Sequence, residues 1–293
     1  MSVAEKFSLF CDNLRIESST ISTISTRYKR ITNCLNLDFR GIQSDTKNSL
    51  YVGSYGRGTA INGLSDLDMI FTLPDNFYSQ YNDHNYNGQS ALLQAIRGSI
   101  YNTYPSTHVG SDGQVVIVDF SDNISFEIVP VFLTSDGSFI YPDSNNGGSW
   151  KMTNPKPEQD AINHIDKTYN YNLKKLCKMA RAWKNHWSVP IGGLLIDTLA
   201  SDFLISWEHH NNSYSYYDLI TRDFFLFLSN LNPDQSYWYA IGSNQHVYSQ
   251  GKFDFKAKRC YNITLEAMYF EDKNNEWSAN KNWREIYGYQ FPN

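Results

Sequence analysis

Two acidic residues one position apart, Asp66 and Asp68, follow a glycine–serine pair, Gly53-Ser54, within LYVGSYGRGTAINGLSDLDMIFTL (residues 50–73). Residues i and i+2 of a strand leave the same face, so the two carboxylates should stand side by side while Leu67 and Met69 point into a core. Adjacent carboxylates repel, and both stay ionised only with positive charge between them. Mg²⁺ prefers oxygen ligands and is commonly held by one or two carboxylates together with substrate phosphates, which makes Asp66 and Asp68 a metal platform. The Gly-Ser turn supplies the complementary chemistry. Gly53 lets backbone come close to a phosphate, N–H groups at a turn that opens a helix attract anions, and the Ser54 hydroxyl can donate to a phosphate oxygen. The Gly-Lys-Ser/Thr ending of a P-loop is absent. A lone D-x-D triplet is usually a solvated turn; its position 12 residues after Ser54 gives it weight.

These residues need elements to hold them. Leu50 to Val52 reads as a short strand leading into Gly53, and Met69 to Leu73 as a second strand stopped by Pro74. Upstream, apolar positions Phe7, Phe10, Leu14, Ile21, Ile24, Tyr28, Ile31 and Leu35 mark one face of a single long helix that ends at Gly41. Residues 75–88 read as a polar loop, and residues 89–104 as a helix with Leu92, Leu93, Ile96 and Ile100 on one face. Val115 to Phe120 and Ile124 to Phe132 are β-branched runs separated by Ser121-Asp-Asn123, the pattern of a hairpin. Residues 135–160, rich in Gly, Pro, Asn and Asp, read as a linker. Helical periodicity then governs residues 161–187, 194–207, 216–228, 253–270 and 278–287. A mixed α+β lobe followed by a helical lobe is the expectation, with a ligand in the cleft between them.

Composition narrows the partners. With 25 Lys plus Arg against 30 Asp plus Glu, the net charge is −5, the reverse of what a protein built to grip duplex nucleic acid shows. Single nucleotides, which need only a few local charges and metal ions, stay open. Aromatics make up 15%, assigned to packing. Cys11, Cys34, Cys177 and Cys260 have no zinc-type spacing and read as free thiols, and His209-His210 lies in a polar stretch as surface. MSVAEKFSLF is no signal peptide, and no apolar run is long enough to span a membrane, so a soluble, cytoplasmic protein is expected.

Gly53-Ser54, followed after 11 residues by Asp66-Leu67-Asp68, resembles the signature of the DNA polymerase β-type nucleotidyltransferase superfamily. The run GSYGRGTAINGLSDLDM resembles more narrowly the cyclic GMP-AMP synthase-like and bacterial cyclic oligonucleotide synthase (CD-NTase) branch. The resemblance implies a polymerase β-like core of mixed sheet and helices over residues 1–155 and a C-terminal helical lobe over 156–293. It also implies a third carboxylate on a neighbouring strand. Ile124-Ser-Phe-Glu-Ile-Val-Pro-Val-Phe132 fits the family pattern and nominates Glu127, with Asp119 on the other arm of the hairpin as the competing candidate. Trp150 to Pro155 resembles the family's segment at the lobe junction, residues 173–184 its basic helix, and Trp283 to Pro292 its ending. Lys178 and Arg181 on that helix become candidate triphosphate contacts. Arg57 either touches phosphate or pairs with a local carboxylate. Two positions depart from the pattern. Val52 stands where some relatives carry a polar residue, and Gly192-Gly193 where relatives often offer a serine to the nucleotide.

The implied chemistry is a two-metal transfer, with Mg²⁺ or alternatively Mn²⁺, that joins ATP and/or GTP into a cyclic di- or trinucleotide. Asp66, Asp68 and Glu127 would bind metal, and Gly53 and Ser54 would hold the donor triphosphate. The resemblance further implies bacterial antiphage signalling by a monomer whose product acts on a separate effector protein, with no membrane and no obligate DNA or RNA partner. Two other readings share the core residues: a template-independent transferase that makes linear oligonucleotides or modifies protein or RNA, and a degenerate fold that only senses nucleotide.

Overall fold

The computed structural model describes residues 1–293. In chain order the elements are α1 (Val3–Asn13), α2 (Ser18–Arg40), β1 (Ser49–Tyr51), α3 (Gly53–Gly56), β2 (Asp66–Thr72), α4 (Asp75–Asn82), α5 (Gly88–Thr103), β3 (His108–Asp112), β4 (Val115–Asp119), β5 (Ser125–Leu133), β6 (Phe139–Asp143) and β7 (Ser149–Thr153). There follow α6 (Pro155–Thr168), α7 (Leu173–Trp187), α8 (Gly193–Ser206), α9 (Tyr217–Ser229), β8 (Tyr237–Tyr239), β9 (His246–Tyr248), α10 (Asp254–Asp272) and α11 (Glu276–Tyr287). They form two compact units. One, the sheet unit, comprises residues 16–56 and 63–155; the other, the helical unit, comprises residues 1–15, 57–62 and 156–293.

The sheet unit is built on a mixed sheet in the order β1-β2-β5-β4-β3, with β6 paired to β5 and β7 to β6. Only β2 and β5 run parallel; the other pairs are antiparallel. Alternation along the strands separates two faces. Leu67, Met69, Phe126, Ile128, Val116 and Val118 are all buried in one core with Ile24, Ile31 and Leu35 of α2 and Leu92, Leu93, Ile96 and Ile100 of α5. Asp68 and Glu127, which lie between them, belong to the opposite face together with Ile117.

The helical unit has its own core, centred on Trp183, Leu195, Leu199, Phe225 and Trp283. Phe7 and Phe10 of α1 belong to it. Phe7 meets Trp283 and Phe291 edge-on, with ring centroids 5.1 and 5.2 Å apart, and Phe10 lies 4.6 Å from Tyr287. The four cysteines are free and buried, and no helix is long and apolar enough to cross a membrane.

Several expectations change. The single N-terminal helix is two, with the break at residues 14–17, where the apolar spacing stretches to seven between Leu14 and Ile21. A Ser2/Glu5 capping box starts α1, and Gly41 in the left-handed region ends α2. The division expected at 155/156 needs two amendments, because residues 1–15 and 57–62 both lie in the helical unit. Residues 75–88 contain α4, and the stretch taken as a linker folds as the β6–β7 hairpin and the start of α6. The strands β3, β8 and β9 had no expected counterpart.

Candidate active site

The parallel register of β2 and β5 sets Asp66 opposite Ser125 and Asp68 opposite Glu127. Across the antiparallel pair β4–β5, Glu127 faces Ile117 and Ser125 faces Asp119. Paired residues project from the same face, so Asp66, Asp68, Glu127 and Asp119 share the sheet face opposite the apolar core. Asp66 is exposed, whereas Asp68 and Glu127 are half-buried.

Like charge at close quarters leaves a mark on Glu127. Burial pushes its carboxyl above the ordinary glutamate range, and the carboxylates of Asp68, Asp66 and Asp112 push it further the same way. Asp119 has other work. It accepts from Ser125 Oγ at 2.5 Å and meets His108 Nδ1 at 2.7 Å, and these bonds hold its carboxyl below the usual range. The residue directly across from Asp68 is therefore Glu127 and not Asp119.

The donor set of Asp66, Asp68 and Glu127 consists of hard carboxylate oxygens on adjacent strands, which fits Mg²⁺ or Mn²⁺ chemistry and no thiolate or imidazole site. No three carboxylate, imidazole or thiol groups already converge to metal-ligand geometry. What the fold provides is the shared face and the mutual repulsion that a divalent cation would relieve.

Gly53 is bound to this face by shape. Its φ is +59°, a conformation costly for other residues, and a Cβ there would overlap Asp68 Oδ2. The backbone adds a second tie, Val52 N–H to Asp68 O at 2.9 Å. Ser54 and Tyr55 lie in α3, the single turn that follows. Tyr51 stacks on Tyr28 of α2 with ring centroids 3.9 Å apart, and Tyr55 meets Tyr51 at a tilt with centroids 4.9 Å apart. Gly53, Ser54, Asp66, Asp68 and Glu127 are thus gathered in the sheet unit.

The basic candidates are placed elsewhere. Lys178, half-buried on α7, has its ammonium pushed down first by burial and then by Arg15. Arg181, 6% exposed, is turned inwards. Its guanidinium makes two bonds to Asp197, Nη1 to Oδ1 at 2.5 Å and Nη2 to Oδ2 at 2.8 Å, and also donates to Gly193 O at 3.0 Å. Arg57 pairs with carboxylates, as one of its two expectations had it, but the partners are distant in sequence. Its Nε reaches Asp197 Oδ2 at 2.8 Å and its Nη1 lies 3.6 Å from Glu158 Oε2. Thr59 Oγ1 donates to the same Asp197 oxygen at 3.0 Å, and Ser243 Oγ to Glu158 Oε1 at 2.9 Å. Burial would push the Asp197 carboxyl up, but Arg181 and Arg57 outweigh it and hold the group below the usual range. Arg57 and Arg181 thus lie in a buried ion cluster, paired with protein carboxylates.

Sequence reasoning passed over Asp112, Glu158 and Asp197. For Asp197 a signal existed: it directly follows the apolar run Leu194-Leu195-Ile196 of α8, and a buried charge requires a partner.

Residues 1–166 match the Second Messenger Oligonucleotide or Dinucleotide Synthetase domain. The chain is 22% identical over 274 residues to a probable cyclic nucleotide synthase of Bacillus cereus (strain VD146), covering 82% of this chain and 81% of that one. Its fold is similar to that of E. coli MS115-1 CdnC solved with ATP, with a TM-score of 0.69, 15% identity and coverage of 99% and 98% of the two chains. It is also similar to the Bradyrhizobium diazoefficiens CD-NTase CdnG in complex with GTP, with a TM-score of 0.66, 9% identity and coverage of 97% and 94%. An acidic sheet face beside a Gly-Ser turn and a separate helical unit thus occur in a chain that belongs to the second messenger oligonucleotide or dinucleotide synthetase family, and it is a nucleotidyltransferase of the cyclic nucleotide synthase kind.

Proposed function

We propose that this nucleotidyltransferase joins ATP and/or GTP into a cyclic di- or trinucleotide in a reaction that depends on Mg²⁺. The observation that carries the reading is the pairing of Asp68 with Glu127 across parallel strands, with Asp66 on the same face and Asp68 against Gly53. In this reading Asp66, Asp68 and Glu127 hold the metal. Bound there, it would supply activation of an acceptor ribose hydroxyl and charge neutralisation of the leaving pyrophosphate. The Ser54 hydroxyl and the N–H groups of the turn orient the donor triphosphate, because Gly53 leaves no side chain between backbone and phosphate. Lys178 is the α7 cation proposed to meet the triphosphate, while Arg57 and Arg181 pair with Asp197 and Glu158. In each transfer the acceptor hydroxyl loses its proton, a phosphodiester bond forms and pyrophosphate leaves; the second transfer closes a dinucleotide ring and the third a trinucleotide ring.

Family membership supports extending this to a signalling role in bacterial antiphage defence, with the product acting on a separate effector. The net charge of −5 supports activity without a nucleic-acid activator.

The test is incubation of purified protein with labelled triphosphates and Mg²⁺, followed by phosphatase. A cyclic product has no terminal phosphate and survives, so products wholly sensitive to phosphatase would refute cyclisation. Asp66→Asn with Asp68→Asn should abolish product; turnover unchanged in that double variant would refute the metal assignment.

A further inference from the structure

The segment that continues the Gly-Ser turn is held unusually firmly, and not by the unit that contains the turn. Residues 53–56 lie in the sheet unit and residues 57–62 in the helical unit, joined by the Gly56–Arg57 peptide bond. In the strap 57–62, Arg57, Thr59, Ala60 and Ile61 are 6%, 0%, 4% and 7% exposed, a degree of burial rare for irregular backbone. Ile61 belongs to the apolar core of the helical unit, and Asn62 N–H donates to Leu14 O at 2.9 Å. The polar anchor is Asp197. One buried carboxylate accepts from Arg57 Nε, Thr59 Oγ1 and both terminal nitrogens of Arg181, while Glu158 pairs with Arg57 and supplies the second negative charge. Two arginines and two acids give a neutral cluster, and Arg181 is itself pinned by the carbonyls of Cys177 and Gly193.

We infer that Asp197 is a positioning residue: through Arg57 and Thr59 it fixes the strap, and through the strap it sets the conformation of the phosphate turn Gly53–Ser54. This rests on the proposed role of that turn in holding the donor triphosphate. The physical ground is distance along the chain. Arg57 is four residues from Gly53, which must keep a φ of +59°, so freedom gained at Arg57 is passed to the turn with little chain to absorb it. Misplacing a binding group by about 1 Å can cost on the order of a hundredfold in rate. A cluster that served only stability would instead leave the turn unchanged.

Thr59 offers the cleanest probe, because Thr59→Val keeps shape and removes one donor while Asp197 retains three. Thr59→Ser restores the hydroxyl. Arg57→Lys keeps charge but loses the forked geometry. Three readouts are taken on full-length protein with Mg²⁺: the Kd of a non-hydrolysable ATP analogue, the split between KM and kcat, and hydrogen exchange resolved over residues 53–62. In Thr59→Val and Arg57→Lys we expect the Kd and KM to rise roughly tenfold with kcat changing much less, as for lost ground-state binding, and exchange to quicken at residues 53–56 as well as 57–62. Thr59→Ser should return both towards wild type. If a variant is too unstable to assay for turnover, exchange in the remaining folded variant decides. Faster exchange confined to 57–62, or a Kd unchanged in variants that keep the wild-type fold, would overturn the positioning role. Wild-type protein that neither binds the analogue nor forms product would overturn the reading of the turn itself, whereas an active wild type with unaffected variants would overturn the Asp197 inference alone.

Discussion

Asp68 fills the space that a side chain at Gly53 would enter, so the Gly-Ser turn and the acidic sheet face are joined by a contact that only glycine permits. The same glycine sits at a φ of +59°, which adds a backbone penalty to the overlap. Gly53→Ala should therefore destabilise the protein by about 1–3 kcal/mol, the range for a residue held in a sparsely populated conformation. It should also lower product formation by at least a hundredfold, since Asp68 must move. Chemical denaturation and initial-rate assays check the two parts separately. A Gly53→Ala enzyme with wild-type turnover would show that the contact is incidental.

Glu127 gives a pH dependence of defined sign. Its carboxyl is raised by burial and by Asp68, Asp66 and Asp112, so the folded protein holds that proton more tightly than the unfolded chain does. The stability it contributes is complete below the unfolded glutamate pKa and is lost as pH rises through the raised folded value. Without divalent ions, wild-type Tm should fall over that window relative to Glu127→Gln, which has nothing to titrate. Mg²⁺ should restore the wild type and do little for the variant, with a gain of about 2.7 kcal/mol at a hundredfold excess over Kd. Melts from roughly pH 4 to 8, with chelator and with Mg²⁺, read both effects. Parallel curves for the two proteins would remove Glu127 from the metal set.

The Asp197 cluster predicts the opposite slope. Its carboxyl is held down by Arg181 and Arg57 against the effect of burial, so its contribution is present above the unfolded aspartate pKa and is lost as pH falls through the lower folded value. Removing one partner leaves buried charge uncompensated, and Asp197→Ala should cost roughly 3–5 kcal/mol. Denaturant titration at neutral and acidic pH measures both; the gap between wild type and Asp197→Ala should narrow on acidification. A loss under about 1 kcal/mol at neutral pH would mean that water reaches the cluster.

What the sequence made legible was local. The Gly53-Ser54 to Asp66-Leu67-Asp68 spacing is a property of one short stretch, and strand alternation alone places both aspartates on one face. The Ile124–Phe132 run likewise carries its own strand pattern, so Glu127 could be nominated before its register with Asp68 was visible. Arg57 and Arg181 were not legible in the same way. Their partners Asp197 and Glu158 lie 140 and 101 positions from Arg57, and no periodicity encodes such a meeting. The hairpins β6–β7 and β8–β9 were obscured for another reason: their strands are three to five residues long and sit among Gly, Asn and Pro, where turn signals outweigh strand propensity.

Placing α1 with the helical unit carries its own prediction. Periodicity read Phe7 and Phe10 as one stripe with Ile24 and Ile31, yet the first pair lies in the core with Trp283, Tyr287 and Phe291, while the second lies in the core of the sheet unit. Phe7 is fully buried against Tyr217, Trp283 and Phe291. Phe7→Ala should cost about 3–5 kcal/mol, because the cavity cannot collapse around three other rings. The loss should be local to the helical unit. Hydrogen exchange should quicken in α9, α10 and α11 while β2 and β5 keep wild-type protection, since neither strand shares a core with Phe7. Equal loss of protection in both units would show that the two cores unfold together, and that α1 contributes to the stability of the acidic face as well as to its own unit.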